Sequence, residues 1–297
     1  MERREGAGRL YVVGTPIGNL GDITPRAAQA FRAADAVCCE DTRVTAKLLA
    51  HLEISRPLVR CDENVMAARA PQLVDRLLAG ETLAFASDAG MPGVSDPGQV
   101  LVDAVRSAGI DVEVVPGPSA CVTALVASGI PCEHFFFEGF LPRRPGERER
   151  RLRELAGVPG ALLFYESPHR VEATLEAIAR VFPAREAALC RELTKLHEEV
   201  LRDAAPALLE RVRERGEMRG EMVVVVAPPA PGELPGAAFA APSAEDAAAA
   251  LERDIACGLA EGESAGALAK RLAQKYSRRK REVYALVLEA QERDGEA

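Results

Sequence analysis

The sequence predicts an α/β protein with two α/β domains, followed by a small helical module. Three observations predict this class. Short β-rich runs alternate with helical stretches over residues 1–117, and the same alternation returns over residues 118–228. A proline-rich linker over residues 229–243 then leads into a helical segment over residues 244–297. Strands that alternate with helices are typical of βαβ units and a mostly parallel sheet.

The first domain is expected to begin with the strand RLYVV, because β-branched and aromatic residues favour strands. Thr24 is a suitable N-cap for the first helix, which has proline at its first position. Gly80 ends the third helix. The expected strands are Arg9–Val13, Ala36–Cys39, Leu58–Cys61, Thr82–Ala86 and Val112–Val115. The expected helices are Pro25–Ala34, Val44–Leu52, Val65–Ala79 and Gly98–Ala108.

The second domain is expected to open with a helix that Gly129 closes. The expected helices are Ser119–Ser128, Glu147–Ala156, Val171–Val181 and Pro206–Arg215. The expected strands are Phe135–Phe140, Ala161–Tyr165, Glu186–Cys190 and Met222–Val226.

The linker is predicted to be extended because it holds five prolines among residues 228–242. The helical module after it resembles a helix–turn–helix, with leucines and valines at helical spacing that can form a small core. Its expected helices are Ser243–Cys257, Ser264–Gln274 and Ser277–Ala290.

Composition is ordinary for a folded protein and excludes several classes. The 297 residues are 48% hydrophobic and 28% charged, and no apolar run is long enough to span a bilayer. The N-terminal segment lacks the apolar core of a signal peptide. We therefore expect a cytoplasmic protein with no membrane partner. The seven cysteines form no C-x-x-C pair and the four histidines are scattered, so no metal site is expected.

The unusual residues follow the predicted strands, where ligands bind in doubly wound sheets. Each of these loops taken alone could be a plain turn, but their order along the strands predicts that they face one cleft. The strings are GTPIGNL, EDTR, SDAGMPGVSDPG, PGPSA, YESPHR and RELTK.

Eight strings in order carry a resemblance to a known family: LYVVGTPIGNLGDITPRA, CEDTR, SDAG-x-P-x-x-SDPG, VPGPSA, FEGFLP, FYESPHR, RELTK-x-HEE and GEMVVVV. They resemble the ribosomal RNA small subunit methyltransferase I family, which belongs to the tetrapyrrole-methylase-like (class III) methyltransferases. The resemblance covers about residues 9–228, and the C-terminal helical module also fits.

The resemblance implies a fold, a reaction and partners. It implies two α/β domains with S-adenosylmethionine (SAM) bound in the cleft between them. It implies methyl transfer to the ribose 2′-oxygen of one cytidine in the decoding region of 16S rRNA, so that the small ribosomal subunit is the partner. It also implies a homodimer and no metal.

Matching positions give the expected site. The expected cofactor-binding residues are Pro16, Ser87, Asp88, Ala89, Met91, Val94, Ser119, Ala120, Tyr165, Leu193 and Met222. The residues expected to contact RNA are Thr42, Asn64, Ser167, His169 and Arg170, together with Arg278, Arg279 and Lys280 of the terminal module.

The chemistry leaves the catalytic residues open. A ribose hydroxyl must lose its proton during or just after attack, which requires a nearby base or a cation that stabilises the oxyanion. The candidate bases are Glu40, Asp41 and Glu192, and the candidate cations are Arg43 and Lys195. The sequence does not choose among them.

Four positions depart from the family pattern, and one of them is Asp203, which follows Arg202 where glycine is usual. Met91 stands where threonine is usual, which alters the SAM loop if a hydroxyl is needed there. Cys61 and Glu63 stand where histidines often precede Asn64, so no imidazole can act as a base at those positions.

Two basic stretches are candidates for holding RNA phosphates, although the net charge is −8. Arg143–Arg153 has a local balance of +4, and Ser264–Arg281 carries seven cations and no acid. Either could instead be a solvated helix face. Two alternatives to the RNA enzyme remain: a methyltransferase of the same fold that acts on a small tetrapyrrole, and a non-catalytic nucleic-acid-binding protein.

Overall fold

The strands expected in the first domain form one parallel sheet. A computed structural model describes residues 6–96, 98–230, 233, 244–260, 263–276 and 278–295, so most of the expected linker over 229–243 lies outside the described residues. The five strands lie in the order β3-β2-β4-β1-β5, and every adjacent pair is parallel. They are β1 (Arg9–Val13), β2 (Ala36–Cys39), β3 (Leu58–Arg60), β4 (Leu83–Ala86) and β5 (Asp111–Val115).

Four helices cover the two faces of this sheet: α1 (Pro25–Ala33), α2 (Thr42–His51), α3 (Glu63–Leu78) and α4 (Gly98–Ser107). Thr24 caps α1 by accepting a hydrogen bond from the N–H of Ala27, as its position predicts. Phe31 and Leu48 pack on one face, whereas Leu77 and Leu101 pack on the other. Both faces are therefore buried, as expected for a parallel sheet.

The second sheet differs from a simple βαβ succession. Its strand order is β6-β7-β10-β8-β9, and the central strand β10 runs antiparallel to both of its neighbours. The strands are β6 (Phe135–Phe140), β7 (Ala161–Glu166), β8 (Glu186–Arg191), β9 (Glu199–Ala204) and β10 (Met222–Val226). The strand β9, which forms a hairpin with β8, was not expected from the sequence.

Four helices pack on this second sheet: α5 (Ala120–Ser128), α6 (Pro145–Leu155), α7 (Val171–Val181) and α8 (Ala205–Arg215). One face packs against α6, α7 and α8, and the other against α5. Ile17, from the loop after β1 of the first sheet, is buried in the α5 layer with Cys121 and Val223. The loops of the first sheet thus reach the core of the second.

The chain divides into two compact units, residues 1–236 and residues 237–297. The second unit contains α9 (Ala244–Ala260), α10 (Ala265–Lys275) and α11 (Lys280–Gly295). Its own core includes Leu268, Leu272, Val283 and Val287, which confirms the core that helical spacing predicts. In the described part of the chain, none of the helices has both the length and the apolar character needed to cross a membrane.

Candidate active site

An apolar cavity of about 240 Å³ lies where the strand ends of the two sheets meet. The loop after β4 and the start of α5 line it from the first side, and the ends of β7 and β8 with the start of β10 line it from the other. The structure brings eight expected cofactor residues to its wall: Ala89, Met91, Val94, Ser119, Ala120, Tyr165, Leu193 and Met222.

A second cavity, of about 340 Å³, adjoins the first, and its mostly uncharged wall also carries the charged side chains of Lys47, Asp88, Lys195 and Glu221. We call it the charged cavity. Pro16, Ser87 and Asp88, which were also expected to bind cofactor, lie on its wall with Lys47 and Lys195. The expected cofactor residues are therefore divided between two neighbouring cavities.

Two glycines allow the loops after β1 and β5 to touch. A Cβ on Gly14 would lie 2.6 Å from the backbone N of Gly117, and a Cβ on Gly117 would lie 2.8 Å from the backbone of Gly14. These distances are too short for any side chain, so the approach depends on glycine at both positions. The N–H of Gly117 also donates to Met91 Sδ at 3.2 Å. Met91 therefore joins the loop after β4 to the loop after β5 through its side chain.

Asp96 shapes the long loop between β4 and α4. Its carboxylate accepts hydrogen bonds from the N–H groups of Gly93, Val94 and Gly98, at 2.8–3.2 Å. Ser95 beside it has φ of 65°, a conformation that side chains rarely adopt. A carboxylate that holds three backbone donors fixes the course of the loop that carries Met91 and Val94 to the cavity wall.

The EDTR string lies against Asp88. The backbone N–H of Asp41 donates to Asp88 Oδ1 at 3.0 Å, and the N–H of Asp88 donates to Glu40 Oε1 at 3.3 Å. Burial raises the pKa of Glu40 to about 7, and the charges of Asp96 and Asp88 add to the effect. The hydrogen bonds of Arg43 hold the pKa of Asp41 well below its usual range. Glu40 thus holds the backbone of Asp88 in place, and the Asp41 carboxylate is hydrogen-bonded to the Arg43 guanidinium.

The RELTK string presents a lysine to the charged cavity. Lys195 Nζ donates to Glu192 Oε1 at 2.8 Å and to Glu221 Oε2 at 3.0 Å. The hydrogen bond from Lys195, followed by that from the N–H of Glu221, lowers the pKa of Glu192. Burial lowers the pKa of Lys195, but its two carboxylate partners outweigh this, so the net shift is upward and the ammonium is retained.

This loop is also strained. Glu192 has φ of 51° and Thr194 has φ of 66°, both in the left-handed region. Backbone strain in residues other than glycine persists only where the surroundings impose it, and it gathers at functional sites. Lys195 of this loop lies against Gly18, where a Cβ would lie 2.5 Å from Lys195 Cγ.

The YESPHR string follows β7 and is built around a buried carboxylate. Glu166 accepts from the hydroxyl of Thr174 at 2.6 Å and from the N–H of Ser167 at 2.8 Å. Arg170 donates to the carbonyl oxygen of Leu141 at 2.7 Å and lies 3.4 Å from Glu166. Arg170 therefore braces the second sheet, and its expected RNA contact stays a prediction. His169 is exposed.

The remaining expected RNA residues lie at helix starts. Thr42 opens α2 and Asn64 lies in the first turn of α3, close to their capping residues Asp41 and Asp62. Cys61, one of the departures from the family pattern, is fully buried. Glu63, the other, is exposed in the first turn of α3.

The two basic stretches differ in how their charges are used. In the stretch 143–153, Arg144, Arg150, Arg151 and Arg153 form ion pairs with glutamates, and Arg148 is buried. In the second unit, Arg278, Arg279, Lys280 and Arg281 are exposed and form no ion pair with any described residue. The second stretch has the greater free positive charge.

Sequence reasoning missed several wall residues of the apolar cavity: Ile17, Gly90, Phe140, Glu166, Cys190, Glu221 and Val223. Glu221 also lines the charged cavity. It precedes a strand instead of following one. Because β10 is antiparallel, its first residue, Met222, pairs with Glu166 and Arg191 at the last residues of β7 and β8. In the sequence, the signal that could have pointed to Glu221 was its place at the beginning of the GEMVVVV string.

The apolar cavity suits an adenosyl sulfonium. Met91, Leu193 and Met222 give it apolar walls, and burial raises the pKa of Tyr165 to about 12, which keeps that ring neutral. The edge-to-face contact with Phe137, at 4.7 Å between ring centroids, fixes the Tyr165 ring. The Glu221 carboxylate lies at the border with the charged cavity. The residues present therefore fit SAM.

Comparison with known proteins defines the class. The family model for tetrapyrrole (corrin/porphyrin) methylases matches residues 9–209, so the chain belongs to this family. The protein is a methyltransferase, and its cofactor is SAM. The fold is shared with a uroporphyrin-III C-methyltransferase from Thermus thermophilus, whose structure contains S-adenosylhomocysteine. That match has a TM-score of 0.53 and 22% identity, and it covers 74% of this chain and 97% of the other.

Curated relatives give the nearer likeness. A ribosomal RNA small subunit methyltransferase I from Xylella fastidiosa is 47% identical over 221 residues, which cover 74% of this chain and 81% of the relative. A protein of the same name from Synechocystis is 38% identical over 290 residues, which cover 97% of this chain and 100% of the relative.

Proposed function

We propose that this enzyme methylates the ribose 2′-oxygen of a cytidine in the decoding region of 16S rRNA within the small ribosomal subunit. The observation that carries the proposal is the charged cavity, which lies beside the apolar cavity and has Lys195 on its wall. The relatives named ribosomal RNA small subunit methyltransferase I support the RNA substrate. A ribosomal substrate places the enzyme in the cytoplasm.

The division into two cavities suits this reaction. SAM supplies an electrophilic methyl group with its own leaving group, so the protein mainly orients the hydroxyl and excludes water. Orientation alone can lower the barrier by about 7–11 kcal/mol. An acceptor ribose in the charged cavity and a donor in the apolar cavity meet at the shared wall residues Ile17, Ala89 and Glu221.

Lys195 is the proposed cation for the attacking oxygen. Its ammonium lies on the charged cavity and is held by two carboxylates, so it is positioned before the substrate arrives. A preorganised donor of this kind stabilises a developing oxyanion. Glu192 is proposed to position this lysine.

Arg43, Glu40 and Asp41 are proposed to act on the RNA side. Arg43 is exposed and its carboxylate partner is Asp41, so an RNA phosphate can join or replace that partner. Glu40 lines neither cavity, and its contact with the Asp88 backbone supports a positioning role. Thr42, Asn64, Ser167 and His169 stay predicted RNA contacts.

The terminal module is proposed to hold RNA phosphates through Arg278, Arg279 and Lys280. Lys280 begins α11, where a positive charge opposes the helix dipole. A cluster of cations in such an unfavourable place supports a binding role over a structural one.

The proposal includes a homodimer. Large apolar side chains that stay exposed in the described part of the chain support it, among them Val122, Val126 and Phe135. Sedimentation should give twice the mass of one chain. A monomer at micromolar concentration would contradict this part of the proposal.

The substrate is tested by methyl transfer from labelled SAM to three acceptors: small subunits, naked 16S rRNA and uroporphyrinogen III. The label should enter RNA and be recovered as 2′-O-methylcytidine after digestion to nucleosides. Label in the tetrapyrrole would support the small-molecule alternative. SAM binding with transfer to none of them would contradict the proposal.

A further inference from the structure

Glu221 occupies the border between the two cavities. Only three described residues line both cavities, and two of them, Ile17 and Ala89, have aliphatic side chains. Glu221 is the only one of the three that can exchange a proton. A methyl group that passes from one cavity to a nucleophile in the other must cross this border.

Hydrogen bonds to Glu192 fix the backbone of Glu221, whereas its carboxylate is largely exposed to solvent. The N–H of Glu192 donates to the carbonyl oxygen of Glu221 at 2.9 Å, and the N–H of Glu221 donates to Glu192 Oε1 at 2.9 Å. The side chain of Glu221 is 73% exposed, and Lys195 is its only partner among the described residues. Glu192, by contrast, is 20% exposed and receives Lys195 Nζ and the Glu221 N–H on the same oxygen.

These differences separate Glu221 from the bases that the sequence suggests. The Asp41 carboxylate is bound by Arg43, and Glu192 accepts hydrogen bonds from both Lys195 and the N–H of Glu221. Glu40 accepts from the backbone N–H of Asp88. None of the three lines either cavity. A general base must come within hydrogen-bond reach of the proton that it accepts.

We propose that Glu221 is a catalytic residue that accepts the proton of the substrate hydroxyl during methyl transfer. This inference rests on the proposed function in that the nucleophile is a hydroxyl. A lone pair of the hydroxyl oxygen forms the bond to the methyl carbon, and the electron pair of the broken carbon–sulfur bond stays on sulfur. The hydroxyl proton passes to a carboxylate oxygen of Glu221 and from there to water. Lys195, whose Nζ lies 3.0 Å from Glu221 Oε2, stabilises the negative charge that develops on the attacking oxygen.

The test compares single-turnover rates at saturating SAM and saturating small subunits. Glu221→Gln keeps the size and one hydrogen-bond acceptor but cannot take up the proton. It should lower the rate at least about 100-fold, because general bases contribute about 10²–10⁴-fold. Its affinity for SAM, measured by calorimetry, should stay within about threefold of the wild-type value. Glu221→Asp, which keeps a carboxylate, should recover part of the rate and serves if the glutamine variant folds poorly.

Glu217→Gln is the matched control. Glu217 precedes the same strand, is similarly exposed, pairs with Arg219 and lines neither cavity, so its rate should equal that of the wild type. A Glu221→Gln rate within threefold of wild type would overturn the inference. So would a loss that higher SAM concentration restores, since that would make Glu221 a cofactor-binding residue.

The comparison uses whichever position the wild-type enzyme methylates. A wild type that modifies a different group contradicts the proposed function, whereas an active wild type with an equally active Glu221→Gln variant contradicts only this inference.

Discussion

At the scale of single residues, the structure separates carboxylates that the sequence cannot tell apart. Glu40, Asp41 and Glu192 all follow strands and were equal candidates for the base. Their surroundings differ. Burial is the main cause of the raised pKa of Glu40, whereas hydrogen bonds from Arg43 and Lys195 lower the pKa of Asp41 and of Glu192, respectively. Glu221 was missed because it precedes a strand. Identity and position along the chain could not reveal these differences, since they depend on contacts between distant loops.

The raised pKa of Glu40 predicts a dependence of stability on pH. The folded protein holds this proton up to a pKa of about 7, whereas the unfolded chain releases it near the ordinary glutamate pKa of 4.5. Between these values the folded state binds more protons, so this group lowers the free energy of unfolding as pH rises, by at most about 3 kcal/mol. Glu40→Gln has no proton to release and should lack this loss.

Urea unfolding of both proteins from pH 5 to pH 8 measures this effect. The stability of Glu40→Gln relative to wild type should increase by about 1–3 kcal/mol across the range. A difference between the two proteins that stays constant with pH would show that the carboxyl titrates normally.

At the scale of elements, the first sheet could be predicted from sequence and the second only in part. The strands β2 and β4 are fully buried apolar runs and the other three are rich in valine and leucine, and each of the five was predicted to within one residue at either end. The strand β9 was missed because it is an edge strand with Glu199, Arg202 and Asp203 among its six residues, which hide the apolar alternation.

The missed strand also determines the direction of β10. Without β9, a strand–helix–strand reading makes β10 parallel to β8. The β8–β9 hairpin reverses the chain, and α8 then connects β9 to β10 so that these two strands run in the same direction. The strand β10 is therefore antiparallel to β8. This brings Glu221 and Met222 to the site.

The contact between the loops after β1 and β5 predicts the effect of one methyl group. Gly117→Ala would place a Cβ 2.8 Å from the backbone of Gly14, so the loops must separate and the cavity wall formed by Met91 and Ser119 must shift. We expect SAM affinity to fall at least about tenfold, which corresponds to about 1.4 kcal/mol.

Gly157→Ala is the control for this substitution because a Cβ there meets no atom within 4 Å. Calorimetric titration with SAM compares the two variants. Equal affinities for SAM would mean that the close approach of the two loops does not shape the cofactor cavity.

At the scale of the whole molecule, the two compact units predict separable functions. All the strand-end loops lie in residues 1–236, and the exposed cations Arg278–Arg281 lie in residues 237–297. The helical spacing of leucines and valines and the cluster of basic residues predicted the helical module from the sequence. The proline-rich linker between the units lies mostly outside the described residues, so that boundary stays a prediction.

Truncation after Gly236 should leave SAM affinity nearly unchanged and weaken RNA binding. This end keeps Glu233, which pairs with the buried Arg185 at 2.7 Å, so no buried charge loses its partner. Each lost phosphate contact should reduce the slope of log affinity against log salt by about 0.7–0.9.

Two measurements check the truncated protein: its melting temperature with SAM, and its RNA affinity across a salt series. A variant that melts much lower but keeps the full salt slope would mean that the module stabilises the enzyme without binding RNA.

The central claim is that the apolar cavity holds the methyl donor and the charged cavity receives the acceptor. A crystal structure of the protein with S-adenosylhomocysteine tests it most directly. The account predicts this product in the cavity lined by Met91, Tyr165 and Met222, with its sulfur on the side that Glu221 shares with the charged cavity. Density for the product in the charged cavity, or an apolar cavity that stays empty at saturating product, would contradict the account.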